Sequence, residues 1–264
     1  MHAELERVAN HLDSTVRHTE GAGQAVAYAR LSRHKERVMR LQARLCGHRF
    51  GRGVVIPGGT TGPPLIGPAD AVQVLRGIQT DLARDLGALM TTPSFLDRLR
   101  TTGIISAKVA AGHGAVGPVG RASGTGADVR AVRPYGGYRT LEVRPAHPRS
   151  DGDALARQWI RLEEIAESWR LARRALAELE GHPEGPWARP VDLVDGTTVG
   201  WTESPHGELL YLVDVVDGRL AHVKAHTASF HNFALFPHAF GGDIFTDFVF
   251  IEASFGLNMA GVSG

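Results

Sequence analysis

Cysteine is almost absent from this sequence: Cys46 is the only one among 264 residues. A single thiol cannot form a disulfide bond within the chain, and it cannot supply a metal site built from several cysteines. Cys46 stands at the end of a helical pattern, where we expect a small buried side chain. The sequence therefore excludes a disulfide framework and predicts no metal site within this chain.

Neither an excess of one charge nor a long apolar run is present. Lysine and arginine together number 29 against 28 acidic residues, a formal net charge of +1, so binding of nucleic acid or anionic lipid is not expected. The most apolar segment, residues 244–259, contains Asp247 and Glu252 and is shorter than the roughly 20 apolar residues that cross a bilayer. The first residues show no signal-peptide pattern. Composition alone favours a soluble cytoplasmic protein.

Three helices are predicted in the first third of the chain, where apolar residues recur at intervals of three and four. The first carries Leu5, Val8, Leu12 and Val16 on one face. The second extends over about residues 22–46 and is expected to end at Gly47. The third begins at Pro68, a favoured first position of a helix, and stops before Pro93.

The strongest helical pattern follows Asp153, an acidic residue that suits the helix dipole, and ends at Gly181. Residues 47–68 and 103–148 are rich in glycine and proline and are predicted to be mainly irregular. The inward face of the strongest helix is predicted to consist of Leu155, Trp159, Leu162, Ile165, Trp169, Leu176 and Leu179.

Short strands are predicted only near the C-terminus, at residues 198–203, 208–216 and 219–226, with Asp217-Gly218 as a hairpin turn. The expected fold is mainly α with a small antiparallel β appendage, an α+β arrangement. We expect one domain over residues 1–264, with a helical body over 1–195 and strands and closing helices over 196–264.

Several motif-like patterns lack the context that their chemistry needs. Residues 112–117, Gly-His-Gly-Ala-Val-Gly, have the glycine spacing of a dinucleotide loop, but Pro118 follows at once and no strand precedes them. Ser123 and Ser204 lack a nucleophile-elbow setting. The spacings of four C-terminal histidines fit no zinc pattern: His222, His226, His231 and His238. By the residues alone, the chain is a helical protein with two long loops.

A series of motifs, in order along the chain, resembles one family: the D subunit of complex I and the related large subunits of energy-converting nickel-iron hydrogenases. Residues 4–12 are similar to its E-L-x-R-I-x-N-H-L helix, and residues 47–50 with 57–59 are similar to G-x-R-F and P-G-G. Residues 117–124 match G-P-x-x-R-A-S-G. The other matching segments are Pro134-Tyr135 with Tyr138, Gly152-Asp153, residues 203–208 (E-x-P-R-G-E), Ser229-Phe230 with Asn232, and Ser254-Phe255.

The chain departs from the hydrogenase pattern where nickel is bound. Residues 254–261 read Ser-Phe-Gly-Leu-Asn-Met-Ala-Gly in place of a C-x-x-C pair, and such groups do not replace thiolates as nickel ligands. His206 replaces the arginine of P-R-G, and Gly21 stands near where complex I has an acid. The other cysteine pair and the quinone-site histidine would lie upstream of Met1. The resemblance implies an N-terminally truncated member, the C-terminal two-thirds of the fold, that lacks the nickel site.

The resemblance implies a place in an NADH-quinone oxidoreductase or hydrogenase-4-like complex, with NAD bound elsewhere in that complex. The expected partners are an iron–sulfur small subunit like the B subunit of complex I, a protein like its C subunit, and membrane antiporter-like subunits. The chain would lie peripherally on the cytoplasmic side of the cell membrane. No tightly bound cofactor is expected: the iron–sulfur cluster belongs to the partner, quinone is the candidate ligand, and nickel is not expected.

Four residues are the candidates for the site implied by the resemblance. His206 and Arg121 are the proposed catalytic residues, since Arg121 could stabilise an anionic intermediate and His206 could carry protons near neutral pH. His11 and Ser123 are expected to line the quinone cavity. Two alternatives remain: a non-catalytic scaffold protein, or a truncated fragment in which Leu5, Val8 and Leu12 lose part of their packing.

Overall fold

A computed structural model describes residues 1–181 and 185–263. Its longer helices follow the apolar periodicity of the sequence, and shorter ones interrupt the glycine-rich segments. The long helices are α1 (His2–Gly21), α2 (Ala25–Cys46), α3 (Pro68–Leu89) and α9 (Ala154–Gly181). The short ones are α4 (Pro93–Leu99), α5 (Ala107–Gly112), α6 (Gly117–Ala122), α7 (Val129–Val132), α8 (Tyr138–Leu141), α10 (Ala228–Phe233), α11 (Phe248–Phe255) and α12 (Met259–Val262).

Two small antiparallel sheets complete the described part. One pairs β1 (Val55–Ile56) with β2 (Gly59–Thr60), so the predicted irregular loop holds a minimal hairpin. The other has the order β3–β4–β5. Its strands are β3 (Gly196–Ser204), β4 (Gly207–Val216) and β5 (Arg219–His226). The prediction of a mainly α fold with a small antiparallel β appendage is confirmed.

Local signals place the ends of several elements. Gly47 adopts a left-handed conformation with φ of 77° and ends α2 as predicted, because only glycine reaches that region without strain. Asp153 accepts a hydrogen bond from the backbone N of Ala156 at 2.7 Å and so caps the first turn of α9. Asp217 and Gly218, with φ of 52° and 66°, form the predicted hairpin turn.

The main core lies among α1, α2, α3 and α9. Leu5, Val8 and Leu12 are 1%, 0% and 0% exposed, because α2, α9 and α11 all pack against α1. The expectation that these three side chains lose packing is therefore wrong. Burying each such side chain stabilises the fold by roughly 1.5–3 kcal/mol.

The inward face of α9 is only partly the one predicted. Ile165, Trp169 and Leu176 are buried, whereas Trp159 is only partly buried. A second, charged side of the helix is buried as well. Because α1, α3 and α6 all pack against α9, the buried surface of this helix is wider than one apolar stripe. Apolar periodicity does not predict the buried charged residues. No helix of the described residues combines the length and the apolar character that a membrane span requires.

Candidate functional site

Polar side chains at helical spacing lie on the buried sides of α1 and α9. Glu4, Arg7 and His11 follow one another at intervals of three and four on α1, and each is at most 1% exposed. Arg161 and Glu164 do the same on α9, at 2% and 1%. Residues spaced in this way share one face of a helix. The packing of α1 on α9 therefore buries two charged stripes together, and charges can be buried at acceptable cost only when they are paired.

The carboxylate of Glu164 is held on both oxygens. Arg121 donates to its Oε1 from Nε at 3.0 Å and from Nη2 at 2.7 Å, while the Nε2 of His11 lies 2.7 Å from its Oε2. Burial by itself would raise the pKa of Glu164, but Arg121, His11 and Arg7 hold it well below its usual range. Glu164 is therefore an ionised acceptor that orients the His11 ring.

Arg121 and Arg7 fasten the β3–β4 turn to the helices. Arg121 also donates to the Oε1 of Glu203 at 3.2 Å. Arg7 donates to the backbone oxygens of Glu203 and Ser204 at 2.8 and 2.9 Å. Because this turn consists of Pro205 and His206 between the paired residues Ser204 and Gly207, these contacts fix the position of His206.

A second set of buried charges continues from the N-terminal end of α1. Arg130 donates to Glu4 at 2.9 Å and to Asp128 at 2.6 Å. Ser168 donates to Glu4 at 2.6 Å, and the hydroxyl of Tyr138 donates to the same carboxylate. Burial raises the pKa of Glu4, but Arg7 and Arg130 outweigh it and lower the pKa to about 2.

A cavity of about 390 Å³ opens between α1, α9, the β3–β4 turn and the segment after α11. It brings together Arg161 and two predicted site residues from distant segments, His11 and His206. Burial lowers the pKa of His11 to about 4 and, with the charge of Arg161, that of His206 to about 3. Both rings are neutral at pH 7, so they act in the cavity through hydrogen bonds and not as imidazolium ions.

The other two predicted site residues lie behind the cavity wall. Arg121 is 1% exposed and engaged with Glu164 and Glu203. Burial opposes its charge, but the two carboxylates raise the pKa of Arg121 further. Ser123 is 0% exposed and donates to the backbone oxygen of Val119 at 3.1 Å. In the described part of the chain neither residue lines this cavity.

The groups at the family's nickel position do not fit that metal. The hydroxyl of Ser254 donates to the Ile251 oxygen at 2.7 Å and accepts from Arg157 at 2.9 Å, and Met259 is 68% exposed. Within residues 1–181 and 185–263, no three His, Cys, Asp or Glu side chains are grouped as a metal site would require. Nickel needs thiolates here, and that the chain binds none remains a prediction.

Four residues that shape the site were not selected from the sequence: Arg7, Arg161, Glu164 and Glu203. Arg7 and Glu203 lie within the motifs at residues 4–12 and 203–208, so the resemblance could have selected both. Arg161 and Glu164 lie on α9, where charged residues recur along the whole helix, and periodicity does not separate the buried ones from the solvated ones.

Known proteins match this chain over most of its length. The family described as the 49 Kd subunit of respiratory-chain NADH dehydrogenase matches residues 21–192. The second NADH-quinone oxidoreductase D subunit of Salinispora arenicola is 30% identical over 96% of this chain and 66% of its own length. That of Streptomyces griseus is 29% identical over the same shares. A carbon monoxide-induced hydrogenase of Rhodospirillum rubrum is 39% identical over 46% of this chain and 33% of its own length.

The chain thus spans at most 66% of the length of these three relatives. The matched region includes α2, α3 and all of α9 and so covers more than half of the chain. It contains the motifs at residues 47–59, 117–124 and 152–153 that resemble this group. The chain therefore belongs to the family of the 49 kDa (D-type) subunits of complex I and the related hydrogenase large subunits.

Proposed function

We propose that this chain is part of a membrane-associated NADH-quinone oxidoreductase or hydrogenase-like complex, and that its cavity receives a quinone. The observation that carries the proposal is the convergence of His11 and His206 on one cavity of about 390 Å³. A pocket of this volume is in the range of small-molecule sites, and its mainly polar lining offers hydrogen-bond donors to a carbonyl ligand. The names of the NADH-quinone oxidoreductase relatives support the quinone.

In this proposal the residues of this chain bind and orient the quinone. The neutral ring of His206 donates a hydrogen bond to a quinone carbonyl. The His11 ring keeps its orientation through its hydrogen bond with Glu164. Arg121 is a positioning residue, because it acts on the cavity through Glu164 and the β3–β4 turn. Reduction of the quinone to the quinol requires two electrons, which an iron–sulfur cluster of a small subunit would supply, and two protons, which would be taken up from water.

The partners follow from the same proposal. An iron–sulfur small subunit like the B subunit of complex I would cover the cavity side, and a C-type subunit and membrane antiporter-like subunits would complete the complex. The chain would attach peripherally, on the cytoplasmic side. Monomeric proteins rarely expose large apolar patches, so such patches mark contact surfaces. Exposed apolar side chains lie near the C-terminal end of this chain, including Ile244 at 65% and Phe245 at 94% exposure.

Quinone reduction in the assembled complex tests the proposal. His206→Ala removes the donor to the quinone, and Arg121→Lys keeps the charge but loses the planar fork that holds Glu164 and Glu203. Each is expected to lower turnover by about tenfold or more, about 1.4 kcal/mol, while the complex still assembles on size-exclusion chromatography. His147→Ala is the matched control, because the His147 side chain is 94% exposed.

A non-catalytic scaffold is the second candidate. It is favoured by the complete engagement of Arg121 and Ser123 in contacts within the chain. If His206→Ala and Arg121→Lys both leave quinone reduction within about twofold of the wild type, well below 1 kcal/mol, the cavity takes no part in the reaction. The scaffold role then replaces the quinone proposal.

A further inference from the structure

Arg161 is a buried cation with unusually poor compensation. It is 2% exposed, and its hydrogen bonds are two long ones, to the backbone oxygens of Arg157 at 3.3 Å and Phe255 at 3.4 Å. Among residues 1–181 and 185–263 no carboxylate oxygen lies within 4.0 Å of its guanidinium. Buried charges are ordinarily paired or fully hydrogen-bonded. Burial lowers the pKa of Arg161 to about 10; the charge of Glu164 opposes this shift and that of Arg121 adds to it. Arg161 therefore remains a cation at pH 7.

Three other buried arginines are better compensated. Arg121 contacts two carboxylates, and so does Arg130. Arg157 has no carboxylate partner among residues 1–181 and 185–263, but it donates to Ser254, Gly152 and Gly103 at 2.7–2.9 Å. Arg161 has neither arrangement, so its donors are left for something outside the described chain.

The nearest acid along the helix cannot fill this role. Glu164 is one turn from Arg161 on α9, but Arg121 occupies its Oε1 twice and His11 its Oε2. Rotating Glu164 toward Arg161 would leave two buried groups unpaired, and each such loss costs about 1–3 kcal/mol. The positive charge of Arg161 therefore stays directed at the cavity that it lines.

A second donor borders the same point. A Cβ placed on Gly256 would lie 3.4 Å from Nη2 of Arg161 and 3.5 Å from Nδ1 of His206. The only hydrogen bond of His206 within the described residues is made by its backbone N, to Ser204 at 3.2 Å. One guanidinium edge and one free imidazole thus flank a space beside Gly256 in which a small group can sit.

The acids that also line the cavity are neutralised at its rim. Asp13 lies 3.2 Å from Arg17 and is bound by Lys35, and Glu252 lies 3.2 Å from Arg17. The side chains of Asp13, Arg17 and Glu252 are 34%, 48% and 37% exposed, so water screens them. The charge of Arg161 lies in the buried part, where electrostatic interactions are stronger.

We propose that Arg161 and His206 bind the delocalised oxyanion of a small planar molecule beside Gly256. Guanidinium groups pair with such oxyanions through parallel N–H bonds, and His206 adds a third. The oxyanion belongs to a carboxylate or to an ionised hydroxyquinone. This inference rests on the proposed function for the cavity and narrows it, because an uncharged quinone would leave Arg161 without a partner.

Isothermal titration calorimetry on the full chain tests the anion directly. Benzoate is compared with benzamide, and 2-hydroxy-1,4-naphthoquinone, ionised at pH 7, with 1,4-naphthoquinone. In at least one pair the anion is expected to bind about tenfold more tightly than its neutral counterpart. The benzoate pair identifies a carboxylate ligand, and the naphthoquinone pair identifies an anionic quinone.

Three variants locate the binding. Arg161→Gln should reduce the preference for the anion to below about twofold, whereas Arg40→Gln, at a side chain that is 77% exposed and away from the cavity, should leave it unchanged. Gly256→Ala keeps the charge but fills the space, so it should weaken both anion and neutral ligand. Because Gly256 has a φ of 63°, alanine also strains the backbone there, and both variants are titrated only after they show the native circular dichroism spectrum.

The inference is overturned if neither anion is preferred, if the preference survives in Arg161→Gln, or if Gly256→Ala binds the ligands as tightly as the wild type. Loss of the preference in Arg40→Gln would show that it depends on the overall charge and not on this cavity, which also overturns the inference. No electron donor is present in these titrations. A complex that fails to reduce quinone can therefore still show anion binding, and an active complex without it would contradict only this inference.

Discussion

Gly117 and His206 are in backbone contact: a Cβ on Gly117 would lie 2.0 Å from the carbonyl oxygen of His206. The contact joins the start of α6, which carries Arg121, to the turn between β3 and β4. Gly117 also has a φ of 61°. Glycine is required here twice, by the close approach of two backbones and by the conformation.

Gly117→Ala is expected to separate that turn from α6. The left-handed conformation costs about 1 kcal/mol for alanine, and the overlap with His206 adds about 1–3 kcal/mol. Gly114→Ala is a matched control, since Gly114 has a φ of 65° and open space around it. Urea unfolding should show a larger loss for Gly117→Ala than for Gly114→Ala; equal losses would contradict the contact.

Arg121→Met is expected to be strongly destabilising. It leaves Glu164 and Glu203 buried without their shared cation, and removing one partner of a buried ion pair costs about 3–5 kcal/mol. Arg49→Met is the control, because Arg49 is 50% exposed and pairs with Glu36 at the surface. Exposed pairs contribute about 0–1 kcal/mol. If the two variants unfold at the same urea concentration, the buried pairs contribute little.

Stability is expected to fall as pH decreases below 6.5. Burial lowers the pKa of His18 from 6.5 to about 3, and the pKa values of His11 and His206 are lowered too. Between these pH values the unfolded chain therefore binds protons that the folded chain does not bind, so stability present above pH 6.5 is lost toward pH 3. His18→Gln should reduce the slope near pH 5 by about one proton, or about 1.4 kcal/mol per pH unit.

Urea unfolding at intervals between pH 7 and pH 4.5 measures that slope. The matched control is His147→Gln, whose side chain is 94% exposed and therefore should not change it. An unchanged slope in His18→Gln would show that this ring is protonated or solvated in the folded chain. Glu4 contributes a further loss of stability below pH 4.5, because Arg7 and Arg130 outweigh its burial and lower its pKa from 4.5 to about 2.

Purified chain is expected to hold no stoichiometric nickel and to take up no hydrogen. Ser254, Asn258 and Met259 occupy the segment where the family's second cysteine pair would stand, and they offer no thiolate. Elemental analysis after gel filtration measures the metal, with Met259→Ala as a control for weak thioether binding. Nickel at one ion per chain, lost on mutation of cavity histidines, would contradict the prediction.

The sequence by itself determined the long helices, the three-stranded sheet and the family. Leu5, Val8 and Leu12 predict the buried face of α1, and Gly47 and Asp153 mark helix ends, because helix spacing and capping depend on residues a few positions apart. The motif containing Arg121 and that containing His206 were recognisable for the same reason: each is a short continuous segment. His11 and His206 each belong to such a segment, and the structure shows that both line one cavity.

Only the tertiary structure decided which charges are paired. Glu164 receives Arg121 from α6 and His11 from α1, and both of these segments are distant from it in sequence. No local period encodes such contacts. Their partners are selected because a buried charge is costly until it is paired. The same packing turned Arg121 away from the cavity and left Arg161 facing it with no carboxylate of the described residues within 4.0 Å, a distinction that depends on distances between helices and not on residue type.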